Sequence, residues 1–284
     1  MRSLDWRRSS RRYAALSVHS SRAYHVRNLA YLVMAGWLAG SAALVTGADT
    51  PQSQAPAGEH PLQPVLKMAR ESRDALARVT DYTAVFMKRE LIGKKYISQT
   101  MDMKVRHEPF SVYLRFQNPH KGREVLFVEG VNGGQLLVHE EGLKAIAGTL
   151  SLHPTSKEAM EENRYPITRI GLRNLLESMI AQWEAETKFA ETKVQYFPNA
   201  KLGNQACIVI ETSHPQPRRQ FKFHKTRLYL DKESRLPARV EQYGFPDQPG
   251  GEPPLLELYT YTELKANVGL TAREFDARNP NYRF

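Results

Sequence analysis

The 284-residue chain is 41% hydrophobic and 10% aromatic, values of a globular protein with a sizeable core that exclude a fibrous or low-complexity one. Its formal charge of +10 points to a polyanionic partner until it is located: seven of the 40 Lys and Arg, but one of the 30 acids, precede Leu29, so the remainder carries +4 and no nucleic acid is expected. A single cysteine, Cys207, excludes an intramolecular disulfide, and its apolar setting in Ala206-Cys207-Ile208-Val209-Ile210 predicts a buried structural thiol.

Residues 1–28 are basic, and Leu29 to Val45 is an uncharged apolar run that ends in the small residues Thr46-Gly47-Ala48. This layout predicts an export signal over residues 1–48, cleaved after Ala48, or an uncleaved anchor in which residues 29–45 associate with the inner membrane. Either form holds the arginines in the cytoplasm and sends the rest across, to the periplasm or cell envelope. Residues 49–64, with prolines at 51, 56, 61 and 64, read as a tether that cannot bury enough apolar surface to fold. A single domain is expected over residues 65–284.

Val65, Leu66, Ala69, Leu76 and Val79 recur at helical spacing and predict a first helix over 65–79. Strands are expected at 82–89, 96–106, 110–116 and 124–128, joined by short turns that force antiparallel neighbours. Two of them alternate cleanly. Met101, Met103 and Val105 oppose Thr100, Asp102, Lys104 and Arg106, while Phe110, Val112, Leu114 and Phe116 oppose Ser111, Tyr113, Arg115 and Gln117. A period of two means one apolar face and one solvated face.

Short strands at 135–139 and 144–147 follow, and Thr155 with Glu158 marks the start of a short helix ending before Pro166. The stripe Leu172, Leu175, Leu176, Met179, Ile180 and Trp183 predicts a second substantial helix from about Thr168. Strands at 193–197, 206–212, 221–230, 238–243 and 255–264 complete the chain, the last two separated by a Pro- and Gly-rich loop from Gly244 to Pro254.

This order of elements resembles the fold of the LolA and LolB lipoprotein carriers. That resemblance implies an α+β domain: an antiparallel, strongly curved, unclosed β-barrel of about eleven strands with helices covering its open side. More closely, Gly122-Arg123-Glu124-Val125-Leu126, Leu152-His153-Pro154 and the stretch from Arg164-Tyr165-Pro166-Ile167 to Gly171-Leu172 resemble the bacterial secreted family known as domain of unknown function 1571, over about residues 65–275. No activity comes with that family. The carrier fold implies non-catalytic binding of a lipid acyl chain or a lipoprotein in an apolar half-barrel, with Phe86, Met101, Met103, Val105, Phe110, Val112, Leu114 and Phe116 as the expected lining. The alternative is an envelope module for structure or interaction, with a fully packed core and no ligand.

The residues announce no other chemistry. The nine histidines form no i, i+4 ligand pair and no HExxH pattern, so no metal is expected. A nucleophile elbow, a P-loop and a dinucleotide fingerprint are lacking, so no catalytic residue and no cofactor are expected. Glu140-Glu141 would face opposite ways on a strand, and Glu161-Glu162 reads as a solvated helix face. The basic run Arg218, Arg219, Lys222, His224, Lys225 and Arg227, interleaved with Phe221, Phe223 and Tyr229, reads as a charged edge strand. Its remaining role would be contact with anionic headgroups through Arg218, Arg219 and Lys222. Cleavage is checked by the intact mass of the exported protein: a new N-terminus at Asp49 is expected, and retention of residues 29–45 would make the segment an anchor.

Overall fold

A computed structural model describes residues 58–284. The expected signal at 1–48 and most of the tether lie outside the described residues.

The chain opens with α1 (Leu62–Leu76), whose Leu62, Val65, Leu66, Ala69 and Leu76 are buried. It begins three residues earlier than its apolar spacing alone suggested, because Leu62 itself is packed into the core. The strands β1 (Asp81–Ile92), β2 (Lys95–Arg106), β3 (Ser111–Asn118), β4 (Glu124–Val128), β5 (Leu136–His139) and β6 (Thr149–Leu152) form the first half of the sheet. Two helices follow, α2 (Lys157–Met160) and α3 (Leu172–Glu186). The second half comprises β7 (Lys193–Leu202), β8 (Gln205–Ser213), β9 (Lys225–Asp231), β10 (Pro237–Tyr243) and β11 (Leu255–Ala266).

All eleven strands belong to one antiparallel, unclosed sheet in the order β6-β5-β4-β3-β2-β1-β11-β10-β9-β8-β7. The first and last strands therefore pair at its middle, and β6 and β7 are its two edges. The chain between those edges has to cross the whole sheet, and it does so over the inner face. There α3 packs on α1, and both close the core with the inward side chains of the strands. Arg70 of α1 and Glu184 of α3 form an ion pair at 2.7 Å.

Inward residues line up in rows across the ladder. One row is Tyr82, Val105, Val112 and Phe127; the next runs Ala84, Met103, Leu114, Val125, Val138 and Leu150. A third is Tyr261, Phe86, Met101 and Phe116. The rows then turn polar: Tyr259, Lys88 and Gln99, and beyond them Gln242, Glu257 and Glu90.

Several local readings change. The segment expected as a strand at 144–147 is a 3₁₀ turn over Gly142–Ala147, and extended structure resumes only after Gly148, whose φ of +71° breaks the run. β7 continues past Pro198 to Leu202 through a register shift between Phe197 and Ala200, which an edge strand tolerates. The basic run is not an edge: residues before Lys225 form a loop, and β9 lies between β8 and β10, where Arg227 pairs with Glu211 and Glu241.

The face of β3 expected to be solvated is partly covered. Ser111 and Tyr113 are buried, because the tail after β11 folds back over the outer side of β3 and β4. The Tyr282 ring stacks on Tyr113 at 4.1 Å, Arg106 lies 5.0 Å from the Phe275 ring, and Lys104 Nζ donates to the Tyr282 hydroxyl at 3.1 Å. A second outer cluster surrounds Cys207 with Val209, Tyr229, Ala200 and Ala238; burial pushes the thiol up to about 11, so it is protonated and inert at neutral pH. Phe275→Ala is expected to cost about 3 kcal/mol, the low end for removing a buried aromatic ring. Urea unfolding measures it, and a loss within experimental error would show that the tail does not hold the outer face.

Candidate functional site

The inner face does not fill completely. Between the sheet, α3 and the segment 153–171 lies a cavity of about 670 Å³, within the roughly 300–1,000 Å³ of small-molecule sites. Phe86, Met101, Leu114, Phe116, Val125, Leu136, Val138, Leu150 and Leu152 supply the sheet wall, and Leu175 and Met179 supply the helix wall.

The eight expected lining residues divide. Phe86, Met101, Leu114 and Phe116 reach the cavity. Met103, Val105 and Val112 do not: they lie in the compact core beneath α1 and α3. Phe110 lines a separate, smaller recess of about 300 Å³ with His107, Phe127 and Arg173. The alternation places all eight on one face correctly, but position along the strands decides which of them the helices cover.

The cavity's other end is polar and is closed by a strap, residues 153–171, that crosses from β6 toward α3. Its residues take hold of successive strands. Glu162 accepts from Gln99 of β2 at 3.0 Å and from Arg123, beside β4, at 2.9 Å; Arg123 also binds Glu140 at 2.9 Å. Over β1, Lys88 Nζ donates to the Glu162 carbonyl at 2.9 Å and to the Asn163 side chain, and it pairs with Glu90 at 3.0 Å. Arg164 then donates from its backbone to Glu90 at 3.1 Å and from its guanidinium to Glu257 of β11 at 2.8 Å. Tyr165 donates its hydroxyl to Glu257 at 3.0 Å and accepts from Lys222 at 2.9 Å. The strap ends at Gly171, whose φ of +100° and close approach to the Tyr82 hydroxyl suit glycine, and Tyr82 accepts the Leu172 N–H at 3.1 Å.

These groups sit in a poorly solvated place. Burial lowers the pKa of the Lys88 ammonium, against the pull of Glu90, and raises that of the Glu257 carboxyl despite Lys222 and Arg164. Each is retained by its partners, so the polar end is a connected network rather than isolated charges.

Glu161-Glu162, expected as a solvated helix face, is not one: Glu162 is half-buried and joined to three neighbours. Lys88, Glu90 and Glu257 join it at the polar end. The signal was there: Phe86-Lys88-Glu90 and Glu257-Tyr259-Tyr261 keep charges in phase with a buried face. Of the expected headgroup residues only Lys222 borders the cavity; Arg218 pairs with Glu191 at 2.7 Å. No three His, Cys, Asp or Glu side chains are placed to hold a metal among the described residues. Nor, among those residues, is any helix long and apolar enough to cross a membrane.

Residues 79–284 match the family described as protein of unknown function DUF1571. The chain belongs to that family. This DUF1571 protein matches no curated protein. Among solved structures it is similar to the Mycobacterium tuberculosis lipoprotein LppX, at 13% identity over 75% of this chain and 100% of that one, with a TM-score of 0.43. It is similar also to a LolA superfamily protein from Nitrosomonas europaea, at 11% identity over 74% and 96%, TM-score 0.31. A DUF1329 family protein from Desulfovibrio piger aligns at 12% identity over 77% and 98%, TM-score 0.38.

Removing one partner from the polar network leaves a buried charge unpaired, which costs about 3–5 kcal/mol. Lys88→Met is therefore expected to lose about 3 kcal/mol in urea unfolding. Adding Glu90→Gln is expected to restore at least 1 kcal/mol of it, the coupling of a contacting pair. Additive losses would show that the two groups do not interact.

Proposed function

We propose that this DUF1571 protein is a non-catalytic, exported carrier that holds the apolar chain of a lipid or of a lipidated protein between its sheet and the strap. One observation carries the reading: a packed core stops short of one end of the inner face and leaves about 670 Å³ walled by Phe86, Met101, Leu114 and Phe116. Each methylene transferred from water to such a wall contributes about 0.8 kcal/mol, so a long acyl chain amounts to on the order of 10 kcal/mol. Methionine beside aromatic rings suits chains of differing shape, because its thioether is unbranched and adaptable. The basic and apolar N-terminal segment supports delivery to the cell envelope, where such ligands are found, with residues 29–45 as a membrane anchor if uncleaved. Contact with an anionic headgroup falls to Lys222 at the cavity's edge rather than to Arg218 or Arg219.

Native mass spectrometry of the full chain purified without detergent is expected to show co-purified lipid, and the protein is expected to take up a fluorescent fatty acid. Phe116→Asp and Met101→Asp are expected to reduce uptake at least tenfold in folded protein. Arg115→Asp, on the exposed face of the same strand, is expected to leave it unchanged. Uptake that survives both cavity substitutions, or repeated absence of lipid and of uptake, would favour a packed module without a ligand.

A further inference from the structure

The cavity's cations are of two kinds. Lys88 and Arg123 are each bound to carboxylates, as described above. Lys222 and Arg169 also line the cavity, and neither has a carboxylate within ion-pair distance among the described residues. Among the described residues Arg169 donates only to the Ser178 hydroxyl, at 3.2 Å. Lys222 donates to the Tyr165 hydroxyl and sits 5.1 Å from the Tyr165 ring and 4.8 Å from the Phe223 ring.

Gln242 lies close by in the fold. It pairs across the ladder with Glu257, which holds Tyr165, and with Thr226 on β9, just after the Lys222 loop. The residue is 5% exposed and borders the cavity, yet its side chain makes no hydrogen bond to any described residue. Its carboxamide opens onto the cavity with donors and acceptor free to take a bound group.

We propose that Gln242, Lys222 and Arg169 form a headgroup subsite that takes the anionic oxygens, carboxylate or phosphate, of an amphiphile whose apolar chain fills the cavity. The assignment rests on the carrier reading above and specifies its ligand. Gln242 donates its amide N–H from the cavity wall, while the two cations supply charge from the mouth. Burial depresses the Lys222 pKa; Glu257 opposes this, and Arg164 and Arg169 add to it. Crowding among the three cations is what a bound anion relieves. The neighbouring acids do not compete for the same spot. Glu257 is held by Arg164 and Tyr165, and Glu158 and Glu161 belong to α2 and its end, the part of the strap that leads into the Glu162–Arg123 contact.

The test compares charged and uncharged probes on the full chain. A fluorescent fatty acid is set against its methyl ester, and labelled phosphatidylglycerol against labelled diacylglycerol. A preference of at least about tenfold for the anionic member of one pair is expected, since hydrogen bonds to a charged group contribute about 1.5–3 kcal/mol; the pair that shows it separates carboxylate from phosphate. Lys222→Gln and Gln242→Leu are expected to bring that preference to within about threefold of unity while uptake of the uncharged probe is kept. Arg169→Gln, on an exposed side chain, does the same if the buried variant fails to fold. Equal uptake of charged and uncharged probes by the wild-type chain, or a preference that survives these substitutions, overturns the subsite and leaves the carrier reading standing. Failure to take up any probe overturns both.

Discussion

The pairing of β1 with β11 is the constraint on which the architecture depends. It joins the first and last strands at the middle of the sheet, so β6 and β7 stand at opposite ends of the strand order although they are consecutive in sequence. An antiparallel sheet is normally closed by short turns, but no short turn can join β6 to β7. The connection has to span the sheet, and the buried parity of the inner face draws it there. Strap, α3 and cavity all follow from that crossing.

The crossing element is short of apolar side chains at its middle, and the sheet answers with charges. Lys88, Glu90 and Glu257 stand at inward positions where a continuous core would have aliphatic ones. A buried ion pair adds little net stability compared with well-packed apolar residues, because desolvation offsets the attraction. What it adds here is position: bonds from Glu162, Asn163, Arg164 and Tyr165 to successive strands set where the strap lies.

The outer face shows the reverse case. Tyr113 and Leu126 point away from the core, and the tail from Leu270 to Phe284 covers them with Phe275 and Tyr282. Residues that read as amphipathic by strict alternation are thus apolar on both sides where a later segment returns. The aromatic character of Tyr113 within an otherwise polar set is the trace of this in the sequence.

Much of the architecture was legible along the chain. Period-two alternation, turn residues and two apolar helix stripes determined ten of the eleven antiparallel strands and two main helices, because side-chain parity and turn chemistry are local properties; β6 escaped them, since the run at 144–147 forms a 3₁₀ turn before it. Cys207 as a buried thiol and Phe86, Met101, Leu114 and Phe116 as inward residues follow from the same local rules. Only the tertiary structure decided that Met103, Val105 and Val112 are packed while their neighbours border a cavity. It alone brought Lys222, Gln242 and Tyr165 together and gave Glu162 its partners. Those outcomes depend on how far α1, α3 and the strap reach across the sheet, a distance set by contacts between segments as much as 163 residues apart, which no period in the sequence encodes.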